Sequence, residues 1–254
     1  AGTTTNSYIF LQSGTVTDVY GGGYGGITTT TNVKLQGTAT AKNIYGASNA
    51  NGSVGTSNVD LISGNATNVF GAGNAVGAGT TNVTLNGITI DSIHGGSKKY
   101  GVTTNTNVVL NSGRVTNVYG AGYDVGATNT KVIQNGATAI NIFGGTETAT
   151  INTVSDVTNA VVNINSAYAK NVYGGNMGNG SVKYATVNIT GNSTIAGKLF
   201  GGGYQSNIGK SGAEGSAVIN ISGGTIYNDV VGGSERGIVY GTTNVNIGKE
   251  AVTD

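Results

Sequence analysis

No cysteine, proline or tryptophan occurs in the 254 residues, and histidine and methionine occur once each. Each absence removes a class of explanation. Without cysteine there is no disulfide framework from which to read a redox compartment, and a single histidine leaves a zinc or copper site almost no ligands. Charged residues make up only 9% of the chain and sum to +1, with the lysines and arginines scattered rather than gathered in a stripe. Nucleic acid and anionic lipid therefore fall away as partners. No apolar run is long enough to span a bilayer, and no stretch reads as a secretory leader. A start at Ala1 rather than Met is expected of a processed chain or an excised fragment.

What is present is glycine, 46 residues of it, and a repeat. The stretch Thr116-Asn117-Val118-Tyr119-Gly120-Ala121-Gly122 has close copies along the whole chain. Its ring position is filled in turn by Tyr20, Tyr45, Phe70, His94, Tyr119, Phe143, Tyr173 and Phe200, then by Val231, with Gly after every one. The interval is 24 or 25 residues through the first six copies, then 30, 27 and 31. A period of this size decides the architecture before any local reading begins.

Within each period one strand, here strand A, shows alternating apolar residues, as in Asn32-Val33-Lys34-Leu35, Asn82-Val83-Thr84-Leu85 and Val187-Asn188-Ile189. That alternation marks one face in a core and one in water. Lys131-Val132-Ile133-Gln134 is the least regular copy, with Gln134 where an inward apolar residue is expected. A Gly/Asn/Ser turn follows (Gln36-Gly37, Ser63-Gly64, Ser112-Gly113), then strand B, which ends in the ring motif. The residue before the ring is always aliphatic, from Val19 to Val230. The fourth before it is small or apolar, from Val16 and Ala41 to Ala196. Two inward residues three apart cannot share a flat strand, so a bend falls between them. Asn43, Asn68, Asn117, Asn141 and Asn171 occupy the bend, where Asn tolerates the left-handed conformation and stacked amides can bond from coil to coil. In copy eight, Gly197 stands in for that backbone freedom. The variable segments, such as 24–31, 49–57, 147–159, 177–185 and 204–217, read as outer loops.

The predicted fold is all-β: a single-stranded parallel β-helix, or β-solenoid, of about nine coils of about 25 residues. It forms one repeat domain over 1–254, with polar tails at 1–7 and 249–254. Blades of a propeller are longer, and a sandwich need not repeat. The repeats at 14–23, 113–122 and 167–175 resemble the Gly/Asn/Thr-rich β-solenoid repeats of very large bacterial surface and secreted proteins, including adhesins and autotransporter-like passenger regions. The likeness covers almost the whole chain.

A catalytic solenoid would set carboxylates on neighbouring coils of one face. Asp60, Asp91 and Asp18 have no acidic strand neighbour one coil away, while Asp124, Glu147, Asp156, Glu214 and Glu235 fall in loops. His94 is expected to stack between Phe70 and Tyr119 as a ladder ring. Neither a cofactor nor a metal is expected. Tyr24, Tyr123 and Tyr204 share the slot four residues past the ring, and Tyr100, Tyr184 and Tyr240 fall in variable segments. Tyrosine faces beside Asn and Gly engage sugars and proteins, so these six are the ligand-contact candidates, against the alternative that they merely cover the coil edge.

The expectation is a non-enzymatic structural or adhesive solenoid, extracellular or on a cell surface, that displays variable loops as an adhesin, stalk or filament segment. The rivals are a polysaccharide-binding module and a carbohydrate-active β-helix enzyme. Neither end resembles a cap, so the expected partner is itself by end-to-end stacking, or the further coils of a longer parent chain. A host or environmental glycan or protein is the other candidate partner.

Overall fold

The computed structural model describes residues 2–148 and 156–248. The tail expected at 249–254 lies outside them. Ten rungs of strand A stack in order. They are Thr3–Leu11, Ile27–Leu35, Ser53–Leu61, the opening halves of Ala78–His94 and Thr103–Tyr119, then Ala127–Gln134, Val157–Asn165, Ser181–Thr190, Gly215–Ile221 and Gly241–Ile247. Strand B contributes nine: Thr15–Tyr20, Thr40–Tyr45, Asn65–Phe70, the closing halves of the two long strands, Thr138–Phe143, Tyr168–Tyr173, and two split copies. The split copies are Thr194–Ile195 with Leu199–Phe200, and Thr225–Ile226 with Val230–Val231. Rung-to-rung pairing is parallel and joins each residue to its counterpart one coil on, as in Val33↔Val59↔Val83 and Ile44↔Val69↔Ile93. At about 4.8 Å per rung, nine steps give a solenoid roughly 43 Å long.

The core follows from the alternation. Val33 and Leu35 from strand A meet Ala41 and Ile44 from strand B, all buried, and the same four columns repeat up the axis. A smaller second core lies on the other side of the ring motif, where Ala121 packs with Ala127, Val157 and Ala160. Between the two cores runs a buried hydroxyl column. Thr31, Ser57, Thr81, Thr106 and Thr130 each donate to the carbonyl of a motif glycine, Gly46, Gly71, Gly95, Gly120 and Gly144, at 2.5–2.6 Å. A buried hydroxyl is costly unless paired, and here one bond settles both it and an inward carbonyl. Gln134 does point inward, fully buried, and its amide donates to the Ala137 and Tyr168 carbonyls at 2.6 and 2.7 Å. It staples the turn of its coil to the next strand B.

Several expectations need correction. Residues 3–7 are no tail: they open the first strand and pair with 27–31. Several variable segments are strand over much of their length, so Tyr184 stands on Ser181–Thr190 rather than in a loop. The bend at the Asn column uses no left-handed residue. Ser166, at a strand A to strand B turn, is the non-glycine residue with positive φ among those described. Two consecutive outward residues, such as Lys42 and Asn43, make the corner instead. In the last two copies the inward pair is four apart, Ile195 with Leu199 and Ile226 with Val230, so Ala196 is displaced from the core by one extra residue. Gly197 leaves room for the Asn171 side-chain Oδ1, which accepts from the Lys198 N–H at 3.0 Å, and a Cβ there would lie 2.4 Å from that oxygen.

Candidate functional site

The ring column is the most continuous feature. From Tyr20 through Tyr45, Phe70, His94, Tyr119, Phe143 and Tyr173 to Phe200, successive ring centres lie 4.7–5.4 Å apart with planes within 15° of parallel. Spacing near the rung repeat is what an in-register column imposes, and such pairs add about 0.5–1.5 kcal/mol each beyond burial. Burial lifts the phenols of Tyr45, Tyr119 and Tyr173 well above the ordinary tyrosine range. Lesser contributions come from Tyr20 and Asp18 at Tyr45, Glu147 and Tyr123 at Tyr119, and Glu235 at Tyr173.

Amide ladders flank the rings. Asn43 donates to Asp18 at 2.7 Å, Asn68 to Asn43 at 2.9 Å, Asn141 to Asn117 at 2.9 Å and Asn171 to Asn141 at 2.8 Å. More ladders run up other columns: Asn32–Asn58–Asn82–Asn107, Asn86–Asn111–Asn135–Asn165, and Asn163–Asn188–Asn220–Asn246. Their signal was in the sequence, as Asn recurring at equal offsets from the aliphatic pair.

The slot four residues past the ring proves to be a cover for the ladder rim. Its side chains lean back over earlier coils. Lys98 reaches the Tyr45 hydroxyl at 3.4 Å and sits 5.9 Å from the Phe70 ring centre. Glu147 accepts from His94 Nε2 at 2.7 Å. Met177 takes the Tyr119 hydroxyl at 3.3 Å. Glu235 accepts from the Tyr173 hydroxyl at 2.7 Å and pairs with Lys198 at 2.6 Å. Burial alone would raise the Glu235 carboxyl, but these two donors and nearby Arg236 hold it below its ordinary value. His94 is buried within the stack, and its Nδ1 meets no partner among the described residues.

The six tyrosine candidates are not brought together. Tyr123 and Tyr204 lie edge-on to His94 and Tyr173, at 5.9 and 6.2 Å, and Arg236 stacks 4.9 Å from the Tyr204 ring. Both are half-buried, so they serve the ladder. Tyr24 is 72% exposed beside the first coil, and Tyr100 is 66% exposed in the turn after Ser97. Tyr184 stands on the outer face of strand A with the Lys183 ammonium 5.0 Å from its ring centre, and Tyr240 is half-buried in the last turn. The loop carboxylates are dispersed: Asp124 takes the Thr148 hydroxyl, Asp156 binds Ser181 and Lys210, and Glu214 is exposed. Among the described residues no three His, Cys, Asp or Glu side chains gather as metal ligands, and no helix is long and apolar enough to cross a membrane. No protein-family model, curated protein or solved structure matches the chain.

Proposed function

We propose that the chain is a non-enzymatic structural segment of an extracellular or cell-surface assembly, a β-solenoid of the bacterial adhesin, stalk or filament kind that carries variable loops along a stiff axis. The supporting observation is that ring stack, amide ladders and core columns all propagate along that axis, while charged side chains at the ladder rim are spent on covering rings. The terminal rungs support a partner of the same kind. Val245 and Ile247, inward by register, are 41% and 75% exposed, and their counterparts Ile9 and Leu11 at the other end are only half-buried. Continuing the register would set Val245 over Ile9 and Ile247 over Leu11, which is the surface a further coil, of a longer parent chain or of a second copy, would cover. Sedimentation of the purified chain is expected to show axial dimers or longer assemblies that Ile247→Lys disperses. A strictly monomeric chain at high concentration would remove the self-stacking partner. Turnover of a polysaccharide that is abolished by changing a loop carboxylate would remove the non-enzymatic reading itself.

The exposure of Tyr24 and Tyr100 favours a second reading, in which the loops bind glycan. Glycan-array binding that disappears in a Tyr24→Ala, Tyr100→Ala double variant would support it.

A further inference from the structure

The coil between Gly201 and Val231 carries an insertion that folds back on itself. Its chain turns out at Gly209, bonds back on itself between Lys210 and Ala213, and rejoins the solenoid at Gly215. Beneath the insertion lies a cavity of about 180 Å³, lined by Asp156, Val157, Thr158, Ser181, Lys183, Gly209, Lys210 and Ala213. That is well short of a drug-sized pocket and is the scale of one small ring.

Its polar groups are unequally committed. Asp156 Oδ1 accepts from both the Ser181 N–H, at 3.0 Å, and the Ser181 hydroxyl, at 2.8 Å, while Oδ2 pairs with Lys210. Both oxygens of the one carboxylate on the lining are therefore engaged. Lys183 has no carboxylate partner among the described residues, and it stands over the ring of Tyr184, which is 43% exposed just outside the cavity. Glu214 follows Ala213 but does not line the space. The result is a small recess with a part-apolar wall (Val157, Ala213), hydroxyls (Thr158, Ser181) and, at its lip, an ammonium that rests on an aromatic ring and has no carboxylate partner among the described residues.

We propose that this recess binds one carboxylate-bearing monosaccharide unit of a glycan, its carboxylate drawing the Lys183 ammonium off the Tyr184 ring, so that the freed ring takes the apolar face of that sugar or of the next unit. The acid selects the sugar class, because a neutral ring offers Lys183 nothing better than its contact with Tyr184 while an anion gains a charge-assisted bond. Lys210, already held by Asp156, fixes the insertion in place. The proposal rests on the glycan-binding reading of the surface but uses different residues from it.

The test is titration calorimetry of the full chain with galacturonate, glucuronate and mannuronate trisaccharides and sialyllactose, alongside the methyl ester of each, which keeps the ring and removes the charge. The free monosaccharides separate a polymer-bound unit from a soluble one. At least one acid is expected to bind about tenfold more tightly than its ester, and Lys183→Gln is expected to lose that same factor while melting like the parent. Tyr184→Ala is expected to weaken acid and ester alike. Equal affinity for acid and ester, binding untouched by Lys183→Gln, or no binding of any of the four acids overturns the proposal. Binding untouched by Lys183→Gln but lost with Tyr24 and Tyr100 would leave the broader glycan reading standing.

Discussion

Gly120 is held by proximity rather than by its torsion. A Cβ on it would lie 2.1 Å from the Gly144 carbonyl oxygen and 3.0 Å from the Thr130 Cβ, because the motif glycines of successive coils pass backbone to backbone. Gly120→Ala is therefore expected to cost about 3 kcal/mol or to prevent folding, measured by urea denaturation. Gly14 presents the opposite case, with φ +85 and open space around it, and Gly14→Ala should cost about 1 kcal/mol. Asn82 is not the plain solvated residue its alternation suggests, since it donates to Asn58 and accepts from Asn107. Asn82→Ser is expected to cost about 1 kcal/mol, and an unchanged urea midpoint would show the ladder to be energetically idle. The buried phenols give a pH signature. Tyr45, Tyr119 and Tyr173 titrate above the ordinary tyrosine value when folded and near 10 when unfolded, so the unfolded chain releases their protons first. Stability is thus whole below pH 10 and falls above it, by up to about 4 kcal/mol per pH unit if all three contribute at about 1.4 each. A flat urea midpoint between pH 9 and 11.5 would contradict the burial of these hydroxyls.

At the scale of strands and turns, the amide ladder beside the rings is broken at one place. Ser92 pairs in register with Asn68 on one side and Asn117 on the other. Ser92→Asn should join the two halves and raise stability by about 0.5–1 kcal/mol, read from thermal melting. Val118→Asp, in the fully buried column next to that ladder in sequence, should cost several kcal/mol. Such columns were legible because on an in-register parallel strand each side chain stands over its own counterpart, so sequence offset and spatial column coincide. Legibility ended where that link breaks. The slot holding Lys98, Tyr123, Glu147, Met177 and Glu235 was visible as an offset, but turn geometry aims those side chains back over earlier coils, and nothing local encodes that direction. One added residue between Ile195 and Leu199 likewise moved Ala196 off the core without disturbing the apparent motif. The recess under Lys210–Ala213 depends on three segments from different coils, which no single period displays.

Because the backbone of each coil pairs only with the coils next to it, with the rim side chains reaching one coil further, the molecule is close to a one-dimensional array in which whole coils are interchangeable parts. Removing 46–70 joins Tyr45 to Gly71 and returns every column to register, with Tyr45 facing His94 in place of Phe70. That 25-residue deletion is expected to keep the β-sheet circular dichroism and a cooperative melt. Removing 46–57 alone should abolish both, since it shifts strand A against strand B; if the two deletions behaved alike, neighbour-only stacking would not describe the array. The parallel register also fixes how the molecule answers to force. Load applied across the two end faces is shared by all the backbone bonds, amides and rings of a junction at once, whereas load applied through the chain termini opens a rung bond by bond. Pulled by its ends, the protein should yield in a saw-tooth whose steps each release one coil, on the order of 80 Å of chain for 25 residues, and should resist far more when gripped by its faces.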